Sequence, residues 1–328
     1  MATSYTIAGL AGVISALLFA SATAGNMVAA PLFYLAPLPI FLIGFGLGIQ
    51  PALVAGLVGS LALFAISGAL FGLGYGVTLA APAGILIYFA LLSRDTGQPG
   101  AADQSAQPDI EWYPPGKLVI WAAVMAGVLT ALTIPIFGLD ADSYYTALQT
   151  MIENTVLKDI ENNLPTPLDA EQMLALTAFL VRALPAVTSV IWFLAIVLNM
   201  WVAGRLVELA GRSLRPWPRI ETMSYPQEFS FAFVATLILS MMGGIISVIA
   251  TGFAGAFIMA FVLMGLAVIH SLTRATQFRP IILSMLYMGL LLFGWIALII
   301  ATIGIGEPSF NLREKFASSG TKAKRDDD

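Results

Sequence analysis

The chain has no cysteine and a single histidine, His270. Without thiols it cannot form disulfides, ligate a metal through thiolate or use a cysteine nucleophile, and one imidazole excludes a multi-histidine metal centre. It also lacks the Gly-x-x-x-x-Gly-Lys-Ser/Thr loop that cradles nucleotide phosphates, the Gly-x-Ser-x-Gly elbow and the His-Glu-x-x-His motif. We therefore expect a protein that is not an enzyme, that holds no cofactor and no metal, and that is not an ATPase of this loop type.

Charge is scarce as well, and residues 1–93 contain no Asp, Glu, Lys, Arg or His. Charged residues make up about 25% of an average globular domain, but 10% of these 328 residues, while 59% are hydrophobic and the mean hydropathy is +0.88. A surface in water needs charges, so a chain omits them over such a length only where its surroundings are apolar. The composition predicts a multi-pass membrane protein in contact with the lipid bilayer, and the net charge of −4 gives no indication of nucleic-acid binding.

Apolar runs of roughly 20 residues with helical periodicity favour an α-helical bundle over an outer-membrane barrel. The sequence predicts an all-α fold, a polytopic transmembrane helical bundle of about eight or nine spans that forms one integral membrane domain over residues 1–328. The candidate spans are 7–24, 28–49, 51–70, 72–92, 117–138, 172–208, 229–249, 252–272 and 280–304. The second is the least regular, because Pro31, Pro37 and Pro39 each remove a backbone donor.

Three segments are predicted to lie outside the bilayer. Residues 93–116 are rich in Gly, Pro, Gln and Asp, which is typical of a flexible polar linker without fixed structure. Residues 139–171 are predicted to form an extracytoplasmic loop with one amphipathic surface helix. Its apolar residues recur at helical spacing at Tyr145, Leu148, Ile152, Val156 and Ile160. Residues 305–328 are expected to form a polar tail.

The distribution of Lys and Arg predicts the orientation, because cytoplasmic loops carry an excess of both. The 139–171 loop has seven acidic residues and only Lys158, so we place it outside. The arginines that follow the long span are expected in the cytoplasm, at Arg205, Arg212, Arg215 and Arg219. Counting back places the 93–116 linker and the N-terminus inside too. With nine spans the basic tail would lie outside, so either one span does not cross fully or the tail is an exception to the rule.

The Pro-rich stretch 31–39 indicates a broken helix. Carbonyls and amides freed at membrane depth persist only if they are buried in protein or line a cavity, and transporters use such breaks to coordinate solutes. Asn26, Tyr34 and Gln50 flank the stretch and are candidate substrate-binding residues. The alternative is that Asn26 and Gln50 sit at interfacial turns and bind water.

Polar residues in later spans give further candidates. Arg182 is costly in a bilayer unless it is paired or snorkels to the headgroups, and its functional alternative is contact with a substrate carboxylate or phosphate. Asn199 is either an interhelical hydrogen-bonding residue or a ligand. His270 is either an ordinary interfacial residue or a proton-coupling group.

Small residues form a stripe on the third span, at Ala52, Ala55, Gly56, Gly59 and Ser60. Their spacing places them on one helix face, and such faces let two helices approach closely in lipid. The stripe predicts tight helix packing, with a backbone-lined cavity or a hinge as the alternative.

The C-terminal part of the chain resembles a known family. The likeness is carried by the run Met264-Gly265-Leu266-Ala267-Val268-Ile269-His270, by Arg274 and Arg279, by Leu286, Tyr287, Gly289 and Leu290, and by Gly306-Glu307 and Asn311-Leu312-Arg313-Glu314-Lys315. In this order the residues look like the bacterial DUF2232 family of membrane proteins, the YybS-like type, although Met264 stands where that family often has Gln. The stretch from Pro39 to Gly68 is similar to the family's N-terminal half and to the substrate-binding components of energy-coupling-factor vitamin transporters. The resemblance implies a fold and a bacterial cytoplasmic (inner) membrane location, but not a reaction.

Two functions from different classes follow as hypotheses. The first is a small-solute binding or uptake component, with a pocket between the Pro-broken segment, the 139–171 helix and the long helix, and with a separate ATPase module or passive exchange to drive it. The second is a non-transporting scaffold or assembly factor that binds membrane protein partners through its Gly-rich helix faces. A membrane enzyme acting on lipid is the least favoured hypothesis.

Overall fold

The computed structural model describes residues 2–24, 28–95, 110–158, 160, 169–274 and 276–315. Nearly all of them are helical, which confirms the predicted all-α membrane fold. Among these residues, seven helices are long and apolar enough to cross a membrane, at Ala2–Thr23, Ala29–Leu47, Ile49–Ser67, Ala69–Leu91, Pro115–Phe137, Ala170–Leu209 and Gly244–Leu272. Three shorter apolar helices accompany these spans in the described part of the chain, at Gln227–Ser240, Arg279–Leu292 and Ile296–Phe310.

The helices and strands follow one another with short connections. In chain order they are α1 (Ala2–Ala20), α2 (Ala29–Tyr34), α3 (Leu38–Leu47), α4 (Ile49–Ser67), α5 (Ala69–Tyr75), α6 (Ala81–Leu91), β1 (Ser93–Asp95), β2 (Ile110–Trp112), α7 (Pro115–Ala131), α8 (Ile134–Phe137), α9 (Ala141–Ile152), α10 (Ala170–Leu209), α11 (Gln227–Ser240), α12 (Gly244–Leu272), α13 (Arg279–Leu292) and α14 (Ile296–Phe310). Single 3-10 or π turns occupy Ser21–Ala24, Gly76–Ala80, Glu153–Leu157 and Ile220–Thr222.

The elements divide into two compact units. Unit 1 comprises Met1–Ala122 and Leu194–Ser224, and unit 2 comprises Ala123–Phe193 and Tyr225–Asp328. Helices α7 and α10 each contribute residues to both units. The expectation of one integral membrane domain stays a prediction.

The boundary between two adjacent spans differs from the prediction. The predicted span 229–249 ends early, because α11 stops at Ser240 and α12 begins at Gly244. Gly243 and Gly244 have φ of +79° and +65°, a left-handed conformation that glycine adopts without the steric cost of a Cβ. The glycine pair therefore places a turn inside what reads as a continuous apolar run.

The predicted span 280–304 is two helices. Helix α13 ends at Leu292, Phe293 leaves the helical conformation with φ −130° and ψ 83°, and α14 begins at Ile296. The two pieces have 14 and 15 residues, fewer than the roughly 20 that cross a bilayer perpendicularly. Neither piece is among the helices long enough to cross, and the side of the membrane on which the basic tail lies stays a prediction.

The small-residue stripe of α4 packs inside unit 1. Its members are buried except for the half-buried Ser60, and they lie at Ala52, Ala55, Gly56, Gly59 and Ser60. A Cβ added to Gly12 of α1 would lie 2.2 Å from the carbonyl oxygen of Ala55, and one added to Gly59 would lie 2.6 Å from the hydroxyl of Tyr75. The stripe is thus covered by helices of the same chain at backbone-contact distance.

The 93–116 linker, expected to lack fixed structure, is ordered at both ends in unit 1. Strands β1 and β2 pair antiparallel with Arg94 opposite Glu111, and the two side chains form an exposed ion pair with a nitrogen–oxygen distance of 2.6 Å. Opposite charges directly across an antiparallel pair stabilise it. The interior of the linker, 96–109, lies outside the described residues.

The buried Arg215 joins this linker to the loop that follows α10. Its guanidinium donates to the carbonyl oxygens of Ala90 at 2.8 Å and Tyr113 at 2.9 Å and lies 5.8 Å from the ring centroid of Trp112. Burial lowers the pKa of Arg215 to about 10. The linker ends and the arginine-rich loop, which the charge distribution assigned to the same side of the membrane, therefore meet at one end of unit 1.

In unit 2 the amphipathic helix α9 packs on a small apolar core. The core residues are Ile134, Tyr144, Leu148, Ile152, Leu157, Val181 and Val248. Leu148 and Ile152 are buried as the helical spacing predicted, whereas Tyr145 and Ile160 pack at the edge and are partly buried. The side chain of Val156 lies outside the described part of the molecule.

Helices α12 and α14 cross closely in unit 2. A Cβ on Gly304 would lie 2.0 Å from the carbonyl oxygen of Phe261, and one on Gly265 would lie 2.0 Å from that of Ile300. Helix α14 continues to Phe310, so the first residues of the predicted polar tail 305–328 are helical. The tail beyond residue 315 lies outside the described residues.

Candidate solute-binding cavity

A partly open cavity of about 320 Å³ lies in unit 2, between α9, α10 and the turn that connects α11 to α12. This volume is at the lower end of the range of about 300–1,000 Å³ typical of small-molecule sites. The lining residues are Tyr145, Arg182, Ser240, Met241, Gly243, Gly244, Ser247 and Thr251. Arg182 is the one charged residue among them.

The turn at Gly243 and Gly244, between α11 and α12, forms one wall of the cavity. No atom lies within 4 Å of a Cβ placed on Gly243 or Gly244, so the backbone borders open space there. Helix α12 begins at Gly244 and runs for 29 residues. The first four amides of a helix have no acceptor within it, and here they belong to Gly244 through Ser247, at the positive end of the helix dipole.

The hydroxyls of this wall already donate to the backbone. Ser247 Oγ donates to the carbonyl oxygen of Ser240 at 2.6 Å, and Thr251 Oγ1 donates to that of Ser247 at 2.7 Å. The first bond holds the start of α12 against the end of α11, and the second lies within α12. Both hydroxyl protons are therefore used, and the other donors along this wall are the backbone amides that open α12.

Arg182 borders the cavity from α10. Its side chain is exposed, and within the described residues it donates no hydrogen bond and forms no ion pair. It also borders a shallow hollow of about 520 Å³ along its own helix, lined by Ala175, Ala178, Phe179 and Ala183. Arg182 thus places a guanidinium, unpaired among the described residues, between two hollows and within an apolar stretch of α10.

Tyr145 faces Arg182 from the surface helix α9. Burial raises the pKa of the Tyr145 phenol, and the neighbouring Tyr144 adds to the rise, whereas the positive charge of Arg182 and the side chain of Ser247 oppose it. The phenol is thus close enough to the guanidinium and to the start of α12 to interact with both. The hydrogen bond with the Ser247 side chain holds the phenol against the start of α12.

The predicted site residues around the helix break lie in unit 1. Asn199, which is 2% exposed, donates through Nδ2 to the backbone carbonyl of Tyr34 and to that of Ala195, both at 2.7 Å. Its Oδ1 is buried without a partner among the described residues. The side chain of Tyr34 is exposed, as is Gln50, whose Oε1 accepts from the hydroxyl of Tyr5 at 3.3 Å. Tyr34 and Asn199 are therefore brought together, through a backbone oxygen.

A second freed carbonyl at the break has a side-chain partner as well. Ser15 Oγ donates to the carbonyl oxygen of Ala36 at 2.5 Å, and the hydroxyl of Tyr75 donates to Ser15 Oγ at 2.7 Å. Ser15 and Tyr75 are both fully buried. Side chains of neighbouring helices thus donate hydrogen bonds to two backbone carbonyl oxygens at the proline break. Asn26 lies outside the described residues.

His270 lies near the C-terminal end of α12. Its Nδ1 is 2.9 Å from the carbonyl oxygen of Leu266, and its Nε2 is 3.3 Å from the hydroxyl of Tyr287. Both ring nitrogens therefore have neighbours within hydrogen-bonding distance, as expected of an anchored side chain.

In the described part of the chain no group of three or more His, Asp or Glu could hold a metal ion. The sequence identified Arg182 because one charge in an apolar run stands out, but it missed Gly243, Gly244, Ser247 and Thr251. A glycine pair directly before a long apolar run was the available signal for them.

Comparison with family models, with curated proteins and with solved structures found no match for the chain. The likeness to the DUF2232 family and to energy-coupling-factor binding components stays an expectation that rests on the motif residues themselves.

Proposed function

We propose that this multi-pass membrane protein is a solute-binding component of an uptake system, and that it takes a small polar solute into the cavity beside Arg182. One observation carries the proposal: an arginine that has no ion-pair partner in the described part of the chain borders, from a membrane helix, a cavity large enough for a small molecule. Ionisable residues in membrane helices are costly and mark substrate pathways more often than chance. The likeness to energy-coupling-factor binding components points in the same direction.

The proposed location is the bacterial cytoplasmic membrane, with the cavity open to the outer side. The acidic 139–171 segment, whose helix α9 borders the cavity, supports an outward-facing site under the positive-inside rule. The contact of Arg215 with the linker ends supports the assignment of those basic segments to one common side. Because the chain lacks the Gly-x-x-x-x-Gly-Lys-Ser/Thr nucleotide-binding loop, ATP-driven uptake would need a separate ATPase module, with passive exchange as the alternative.

The scaffold hypothesis has less support from the geometry. Its proposed surface was the Gly-rich faces, but the stripe of α4 is covered by α1 and by Tyr75 of the same chain. A partner would have to displace these helices to reach it.

Thermal unfolding of the purified chain in mild detergent tests the proposal. We expect one or a few members of a panel of anionic, zwitterionic, cationic and neutral metabolites to raise the unfolding temperature of the wild type, since a ligand that binds only the native state stabilises it. The variant Arg182→Ala should lose this shift, while Arg212→Gln, which removes an exposed charge in unit 1, should keep it. A panel in which no solute shifts either protein would overturn the proposal.

A further inference from the structure

We propose that the solute is an oxyanion, a carboxylate or a phosphate, held between the guanidinium of Arg182 and the amino end of α12. This inference rests on the proposed function, because it names the class of ligand for the same cavity. Its support is the pattern of charges and donors that surround the cavity.

Among the described residues that line the cavity, one carries a positive charge and none carries a negative charge. A cationic solute would meet Arg182 with no carboxylate among these residues to offset the repulsion. A neutral solute would leave the guanidinium without a counter-charge. A carboxylate or phosphate supplies that charge and matches the planar fork of the guanidinium with two parallel hydrogen bonds.

The opposite wall supplies donors of the same kind. The amides of Gly244 through Ser247 open the 29-residue helix α12, and helix amino ends attract anions through unused N–H groups and the dipole. The hydroxyls of Ser247 and Thr251 already donate to carbonyl oxygens. The described lining residues thus bring a guanidinium and the amino end of a helix to one cavity, and both suit oxygens that carry negative charge.

An oxyanion near the membrane surface can come from a free solute or from a phospholipid headgroup. Arg182 lies 12 residues into α10, so it is about 18 Å along the helix from its start. The exposed hollow that it also borders is lined by Ala175, Ala178, Phe179 and Ala183. The bound chemistry is the same in both cases, so the experiment must separate the sources.

The experiment measures binding to the full chain, purified in a maltoside detergent that contains no phosphate. The probes are acetate, succinate and inorganic phosphate, with choline and glucose as cationic and neutral controls at constant ionic strength and in a chloride background. A lipid arm adds short-chain phosphatidylglycerol, and native mass spectrometry reports whether phospholipid is retained. The variants are Arg182→Gln and Arg182→Lys, with Arg212→Gln as the matched loss of charge outside the cavity.

We expect at least one free oxyanion to bind and the controls not to bind. Arg182→Gln should weaken that affinity roughly tenfold to a hundredfold, the usual effect of losing a charged hydrogen-bonding pair. Arg182→Lys should recover part of it, and Arg212→Gln should bind as the wild type does. The unliganded unfolding temperature shows whether each variant is folded.

The remaining outcomes separate the two proposals. Binding of glucose or choline that survives Arg182→Gln would overturn the oxyanion inference and leave the solute-binding function standing. Arg182-dependent binding of phosphatidylglycerol alone would support the oxyanion chemistry and contradict the uptake function. If no probe of any charge binds a folded protein, the oxyanion inference fails, and the metabolite panel decides the function.

Discussion

Glu307 and Arg313 form a nearly buried ion pair at the C-terminal end of α14. The Nε atom of Arg313 lies 2.6 Å from Oε1 of Glu307, and the side chains are only 18% and 8% exposed for the arginine and the glutamate. Asn311, in the left-handed conformation with φ 46°, reverses the chain, and its amide donates to the carbonyl oxygen of Glu307 at 3.0 Å. The C-terminal end of α14 is therefore stabilised by a salt bridge between two residues of the motif Gly306-Glu307…Asn311-Leu312-Arg313.

Removing one charge of this pair should destabilise the protein strongly, because the remaining charge loses an ion-pair partner in a nearly buried position. We expect Glu307→Gln to lower the free energy of unfolding by about 3 kcal/mol, measured by thermal or denaturant unfolding in detergent. The double variant Glu307→Gln/Arg313→Met should cost less than the sum of its two singles.

The ion pair of Arg94 and Glu111 is the matched control, since its side chains are 77% and 50% exposed. Glu111→Gln should cost at most about 1 kcal/mol. Equal losses for Glu111→Gln and Glu307→Gln would contradict the assignment of the Glu307 pair as the buried one.

Two glycines of α1, Gly9 and Gly12, differ in how much space an added Cβ would have. Gly12→Ala should destabilise the protein by roughly 1–3 kcal/mol through overpacking, since its Cβ would meet the carbonyl oxygen of Ala55 at 2.2 Å. Gly9→Ala, with no atom within 4 Å of the new Cβ, should be neutral or slightly stabilising because alanine favours helix. Unfolding temperatures in the same detergent compare the two, and a Gly9→Ala loss as large as that of Gly12→Ala would show that α1 packs differently.

Much of this fold follows from one-dimensional patterns. Hydropathy located the apolar runs, and period 3.6 identified Leu148 and Ile152 as the buried face of α9. Hydropathy does not register a break within an apolar run, however. The turn at Gly243–Gly244 and the end of α13 at Phe293 therefore lay inside predicted spans.

The site was less accessible to sequence reasoning. A lone charge such as Arg182 stands out against apolar neighbours, so its position was found. The partner of Asn199 is a backbone oxygen 165 residues away, and no local pattern encodes that pairing. Ser247 lines the cavity only because the preceding turn brings it opposite α9, and such a placement depends on tertiary packing.

Arg215 should control how firmly the linker ends are held in unit 1. We expect Arg215→Gln to lose at least one of the two carbonyl contacts at Ala90 and Tyr113 and to speed trypsin cleavage at Arg94 and Lys117 by several-fold, because cleavage follows local opening. Limited proteolysis followed by mass spectrometry measures the rates. Arg219→Gln, an exposed change in the same loop, is the control.

The Arg215 contacts would be shown to be dispensable if cleavage at Arg94 and Lys117 were as slow in Arg215→Gln as in the wild type. Rates must be compared on folded protein, and unchanged cleavage in the Arg219→Gln control verifies this.

Asp140 caps α9, the helix that borders the cavity, and its carboxyl group makes this cap depend on pH. Its carboxylate accepts from the amide of Ser143 at 2.9 Å and from the Ser143 hydroxyl at 2.7 Å, which caps α9. These hydrogen bonds, the backbone one first, lower the pKa of Asp140 below its usual 3.8. A carboxyl whose pKa is lower in the folded than in the unfolded state stabilises the fold above the unfolded pKa, and this contribution is lost as the pH falls through the folded one.

We therefore expect α9 to be fully capped at neutral pH and to lose its cap only below about pH 4. Hydrogen exchange of the α9 amides, corrected for the intrinsic pH dependence, should rise below that pH in the wild type. Asp140→Ala should show the raised exchange already at pH 7, whereas Asp140→Asn, which keeps an accepting oxygen at the cap, should stay protected and lose the acid transition. Equal protection at pH 7 in the wild type and Asp140→Ala would mean that packing of Tyr144, Leu148 and Ile152 alone holds the helix, and that the cap contributes nothing to the wall of the cavity.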